Sequence, residues 1–105
     1  MEPLPRLTPA TIDVLTVLLD EPAQVWGLAI VKASQRPAGS VYPILERLER
    51  LGWVTSVWET DDARPGPRRR YYALTPDGRV AAIAAVARMR AKEKRAQGWS
   101  KVAEA

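Results

Sequence analysis

Residues 37–53, PAGSVYPILERLERLGW, decide how the chain is read. Ile44, Leu45, Leu48 and Leu51 recur at helical spacing and form one apolar stripe. Glu46, Arg47, Glu49 and Arg50 occupy the other faces, with Glu46 and Arg50 one turn apart in the favourable order. Gly52 stands where a helix ends on a left-handed residue. The first turn is different: Gly39, Ser40 and Tyr42 are small or hydrogen-bonding, and Val41 is its one bulky aliphatic. A helix of this kind, expected over about 38–51, docks its side on a core and keeps its tip for another partner. Pro43 interrupts the pattern, because a proline there removes one hydrogen bond and crowds the carbonyl of Gly39, four residues back. Either the helix kinks at Pro43 or its regular part begins there; the sequence leaves both open.

Upstream, Thr8-Pro9 reads as an N-cap followed by proline at the first helical position. Ile12, Leu15, Leu18 and Leu19 give that helix its stripe, and Asp20-Glu21-Pro22 ends it. A second helix is expected from about Gln24 to Ser34, with Gly27 inside it at a cost of ~1 kcal/mol against alanine, a sign of close packing. Residues 1–7, with two prolines and no periodicity, are expected to be a frayed arm. Downstream, residues 53–59 alternate and are rich in aromatic and β-branched types, as a strand prefers. Residues 60–67 carry the chemistry of a loop, and residues 68–74 read as the returning strand. Three helices and then a hairpin with a basic tip make a winged helix-turn-helix, mainly α with a two-stranded wing. A lone two-stranded ribbon is marginal, so this one has to pack on the helices.

Thr75-Pro76-Asp77 repeats the opening device of the first helix and starts a last one, expected to run to about Gln97. Its stretch VAAIAAVA, residues 80–87, is apolar on every side, which ordinarily means burial on every side. A domain of this size covers one face of a terminal helix, so the other is expected to meet a second copy through Val80, Ile83, Ala84, Ala87 and Ala91. The plainer alternative is an alanine-rich helix that sits half exposed. The domain expectation is therefore 8–75 for the winged helix-turn-helix and 76–97 for a dimerisation helix, with 1–7 and 98–105 as flexible termini.

Composition narrows the function. With 105 residues the chain is one domain, and it holds no cysteine and no histidine. Disulfides, thiolate metal sites, cysteine nucleophiles and histidine triads are thereby removed, and no cofactor is expected. The acids are scattered over helix exteriors without a carboxylate pair in an apolar setting, so an enzyme is not expected either. No apolar run approaches the ~20 residues of a membrane span, and no export pattern opens the chain, so the cytoplasm is the expected location. Residues 1–62 hold five Lys/Arg against nine Asp/Glu, whereas residues 63–105 hold eleven against three. A basic half of this sort fits an anionic partner, or else a solubilising basic tail.

Three segments carry a resemblance. WGLAIVKA at 26–33, GSVYPILERLERLGWV at 39–54 and RRRYYALTPDG at 68–78 resemble the PadR family of bacterial transcriptional regulators, over roughly residues 7–95. The resemblance implies a homodimeric winged-helix repressor whose third helix enters the major groove of double-stranded DNA, and whose last helix makes the dimer. Three points stand out: a very short link between the second and third helices, a single C-terminal helix as in the family's short members, which together argue against a dedicated ligand-sensing domain, and Trp26 where a tyrosine is usual, a change expected to concern packing. Carried onto this chain, Gly39, Ser40, Tyr42 and Pro43 lie at the groove-facing tip. Ser40 can touch a base or a phosphate and Tyr42 a phosphate or a thymine methyl, the alternative for Tyr42 being packing. Arg47, Lys32 and Arg36 are phosphate clamps or else solvent-exposed charges. Arg64, Arg68, Arg69 and Arg70 cluster in and beside the wing at about 60–68 and are its expected DNA contacts, with Arg64 and Arg68 following the phosphates or the minor groove; strand alternation sends Arg68 and Arg70 to one face and Arg69 to the other, so not all reach DNA together. The family's members that sense planar aromatic compounds make Trp99 a candidate effector contact, against a tail residue with no such role. The rival reading is a winged-helix protein–protein module without specific DNA binding.

Overall fold

The computed structural model describes residues 1–60 and 64–104, with residues 99–104 described by backbone alone. Its elements follow in the order α1 (Pro9–Asp20), β1 (Val25–Trp26), α2 (Gly27–Ser34), α3 (Ala38–Arg50), β2 (Val54–Trp58), β3 (Arg70–Leu74) and α4 (Pro76–Glu104). This is the expected mainly helical fold with a β2–β3 wing, and it has one strand more than expected. Val25 and Trp26 do not open α2; they pair antiparallel with Tyr72 and Tyr71, so the sheet has the order β1-β3-β2. β3 would otherwise present an open edge of backbone groups, and two residues of β1 are enough to cover part of it. α2 accordingly starts at Gly27 rather than near Gln24.

The core is built from one stripe of each helix. Val14, Leu15 and Leu18 of α1, Ile30 of α2, and Val41, Ile44, Leu45 and Leu48 of α3 meet Trp53, Val54, Tyr72 and the Ala82, Ala85 and Val86 face of α4. Thr8 caps α1, accepting from the Thr11 amide at 3.1 Å, a cap of the kind that contributes ~1 kcal/mol. Gln35, at φ 58°, takes the left-handed conformation that ends α2, and α3 begins three residues later. Pro43 therefore sits inside a helix that has already started at Ala38, and the alternative of a start at Pro43 falls away.

α3 ends as its sequence requires. Gly52 is at φ 85°, its amide donates to Glu49 O at 3.1 Å, and the Trp53 amide donates to Leu48 O at 2.8 Å. These are the paired bonds of a Schellman stop, which satisfy two terminal carbonyls and turn the chain into β2. Thr75 then ties the start of α4 to this corner: its hydroxyl donates to Gly52 O at 3.0 Å and accepts from the Gly78 amide at 2.9 Å.

Two terminal expectations change. The arm at 1–7 is docked, not frayed: the Glu2 amide donates to Leu51 O at 2.9 Å, and the Trp53 indole Nε1 donates to Glu2 O at 2.6 Å. Leu4 and Leu7 pack against the core beneath it. α4 passes through Gly98 and reaches Glu104, so the helix is longer than the expected 76–97. Among the described residues no helix is long and apolar enough to cross a membrane.

Candidate nucleic-acid interface

The inner stripe of α3, Val41, Ile44, Leu45 and Leu48, is buried, which fixes what its other sides present. At ~100° per residue, Gly39, Pro43, Glu46 and Arg50 centre on the opposite side. Ser40 and Arg47 lie on one flank of that outward face, half-buried, and Tyr42 and Glu49 on the flank toward the sheet. Tyr42 is 39% exposed, so its ring is neither core nor fully in solvent. It leans over the start of α2: a Cβ on Gly27 would lie 3.0 Å from Tyr42 Cε1 and 3.3 Å from Tyr72. The close packing expected at Gly27 is there, and the tyrosine tip of α3 is what causes it.

Beside this tip opens a cleft of about 280 Å³ lined by Trp26, Gly27, Tyr42, Trp58, Arg68, Arg70 and Tyr72. Arg70, the first residue of β3, and Arg68, two residues before the strand begins, both line this cleft. Arg69 goes to Trp26, with its guanidinium carbon 3.8 Å from the ring centroid and its Nε buried without a hydrogen bond among the described residues.

Several of the expected phosphate ligands hold carboxylates of the same chain. Arg36 Nε stands 2.8 Å from Asp13 Oδ2. Arg64 forks onto Glu59, with Nε 2.9 and 3.2 Å from the two carboxylate oxygens, and its Nη atoms donate to the Pro65 and Pro67 carbonyls at 3.0 and 2.8 Å. Arg70 Nη2 stands 3.1 Å from Glu49 Oε1, and Arg70 Nε and Nη2 donate to Ser56 Oγ at 3.0 and 2.8 Å. Lys32, in the last turn of α2, is exposed, as is Arg68. Asp61, Asp62 and Ala63, within the expected wing tip, lie outside the described residues, as does the side chain of Trp99.

The carboxylates Asp13, Glu49 and Glu59 and the wing residue Trp58, 54% exposed, are the members of this surface that the sequence pattern did not single out. Glu59 and Arg64 face each other across one loop, a signal present in the sequence; the other two pairs join residues more than twenty positions apart.

Away from the tip, α4 shows two faces. Ala82, Ala85 and Val86 are buried, while Val80 (70% exposed), Ile83 (55%), Ala84, Ala87 and Ala91 form an uncovered apolar stripe. Beyond it Arg88, Arg90, Lys92, Lys94 and Arg95 are all exposed.

The Tyr72 phenol, in the floor of the cleft, is held above the ordinary tyrosine pKa. Burial is the chief cause, and the positive charge of Arg70 opposes it without cancelling it.

The PadR-like family of transcriptional regulators matches residues 14–84. No curated protein matches the chain. Among solved structures, a PadR family transcription regulator from Clostridium difficile is 26% identical at a TM-score of 0.67, covering 84% of this chain and 96% of its own. A protein from Ralstonia eutropha is 25% identical at 0.60, covering 75% and 96%. BpsR of Bordetella bronchiseptica, whose DNA binding is regulated by 6-hydroxynicotinic acid, is 29% identical at 0.65, covering 91% and 67%.

Proposed function

This chain belongs to the PadR-like family of transcriptional regulators, a family of regulators and not of enzymes, and on that premise we propose that it is a repressor acting as a homodimer on an inverted-repeat operator. The observation that carries the reading is the tip of α3. Its apolar stripe is anchored in the core, so Gly39 and Pro43 lie on the outward face, with Ser40 and Arg47 on one flank and Tyr42 on the other. A helix presented in this way places its N-terminal residues against base edges in the major groove. Lys32, Arg36 and Arg47 hold phosphates on the α2 side, and Arg64 and Arg68 follow the backbone at the wing. Arg69 and Arg70, at the base of the wing, complete its set of cations.

The second copy joins through the uncovered Val80, Ile83, Ala84, Ala87 and Ala91 stripe of α4, where alanines permit close approach. Two-fold symmetry then sets half-site centres roughly one helical turn, ~34 Å, apart. Like that of BpsR, its DNA binding responds to a planar aromatic effector, with Trp99 as the contact. Its place of action is the cytoplasm, with the DNA.

One set of observations favours the rival, a winged helix that binds protein. Arg36, Arg64 and Arg70 are already neutralised by Asp13, Glu59 and Glu49, and Glu46 stands on the outward face. The two readings separate in a salt titration of binding to duplexes selected from a random library. DNA binding through the wing predicts a steep fall of log K with log salt, and Arg64→Ala with Arg68→Ala reduces that slope by about 0.9 for each phosphate no longer neutralised. An unchanged slope in the double variant removes the wing from the interface, and no binding at low salt removes the DNA reading.

A further inference from the structure

We infer that Arg70 is a positioning residue, which acts through Glu49 and Ser56 to set the angle of the wing against the recognition helix, and not a phosphate ligand. The inference rests on the DNA-binding reading above and assigns one of its cations a different task.

The geometry is a three-element clamp. Glu49 lies in the last turn of α3, Ser56 in the middle of β2, and Arg70 at the first position of β3. Arg70 Nη2 reaches Glu49 Oε1 at 3.1 Å and Ser56 Oγ at 2.8 Å, its Nε reaches the same hydroxyl at 3.0 Å, and the Ser56 hydroxyl donates to Glu49 Oε2. The guanidinium carbon also lies over two rings at cation–π range, 5.1 Å from the Trp58 ring centroid and 5.9 Å from that of Tyr72. Arg70 and Trp58 are register partners, the last pair of the β2–β3 ladder on its loop side. The clamp therefore sits where any pivot of the wing would begin.

Chemistry explains why these residue types are needed. A guanidinium is a planar fork that donates in several fixed directions and stacks on aromatic faces at once, which an ammonium does not reproduce. Ser56 can accept from Arg70 while donating to Glu49, so the hydroxyl closes the triangle. Two consequences follow for recognition. The tip of α3 and the wing tip address neighbouring stretches of one duplex, so a shift in their relative angle spoils simultaneous contact without removing any charge at the tip. In addition Glu49, once deprived of its cation, becomes an uncompensated carboxylate on the flank of the reading helix.

The test uses full-length wild type, Glu49→Gln, Arg70→Ala, the double variant and Arg70→Lys, with affinity for selected operator and for random duplex measured against salt, and thermal unfolding run alongside. The expected result is an about tenfold loss of the operator-to-random affinity ratio in each single variant, with the double no worse than either. The salt slope stays at the wild-type value, and Arg70→Lys does not restore the ratio. The inference is overturned if Arg70→Ala lowers the slope by about 0.9 for both duplexes while Glu49→Gln binds as well as wild type, the pattern of a direct phosphate contact. Non-additive unfolding of the pair, read without DNA, shows whether the clamp exists. If it does and wild type binds no duplex, the regulator reading fails and not the geometry. If unfolding is additive and DNA still binds, the clamp fails alone.

Discussion

The ring of Tyr42 lies so close over Gly27 that a methyl group on the glycine would come within 3.0 Å of its Cε1 atom. The first residue of α2 thus fixes the side chain at the tip of α3, and the contact joins the two helices of the helix-turn-helix at the end that faces outward.

A Gly27→Ala variant tests whether that position matters. At the first position of α2 alanine gains only part of the ~1 kcal/mol it holds over glycine inside a helix, against the few tenths of an ångström by which Tyr42 and Tyr72 must yield. Thermal stability should stay within about 1 kcal/mol of wild type, while operator affinity falls severalfold because the tyrosine is displaced. Equal affinity, measured by fluorescence anisotropy on a labelled operator, would show that Tyr42 does not touch DNA.

Gly78 is constrained for a different reason. A Cβ there would be driven into the Trp53 carbonyl oxygen, which is backbone and cannot rotate away. Gly78→Ala should cost about 2–4 kcal/mol and lower Tm by about 10 °C or more, seen in a calorimetric scan. Gly98→Ala is the control: nothing lies within 4 Å of its added Cβ, so Tm should hold or rise slightly.

The uncovered stripe of α4 gives a prediction on assembly. Ile83→Asp places a charge at the middle of that stripe, where the side chain is 55% exposed in the single chain. The fold should survive, and sedimentation at micromolar concentration should show the single subunit in place of the proposed dimer. A variant that still sediments as a dimer moves the interface elsewhere.

Tyr72 makes stability depend on alkaline pH. Its folded-state pKa is raised by burial, so the unfolded chain loses its phenolic proton first as pH passes about 10. The contribution is whole below that value and is lost as pH climbs toward the folded one. Urea unfolding between about pH 9 and 11 should show a shallower decline in Tyr72→Phe than in wild type.

How much of this was legible in the sequence depends on the range of the interaction. Thr8, Thr75 and Gly52 announced their helix ends because a cap is a matter of a few neighbouring residues. The stripe of α3 was readable because four positions at helical spacing share one face. Val25 and Trp26 were misread because two residues are too few to show a period, and their strand exists only through pairing with Tyr72 and Tyr71. Gly98 failed to stop α4, since one glycine costs ~1 kcal/mol against a run of alanine, lysine, glutamine and arginine that favours helix. At the interface, the residue types were legible and their partners were not. Arg36 with Asp13 and Arg70 with Glu49 are joined by the fold alone, so a count of charges overstated how many were unengaged.

The strap formed by Glu2 and Trp53 gives this protein an intrinsic optical gauge. Trp53 is 4% exposed and spends its one donor on the Glu2 carbonyl, whereas Trp58 is 54% exposed. Peeling back the first residues would hydrate a single indole and move its emission to longer wavelength, so undocking of the leading segment can be followed without any added dye.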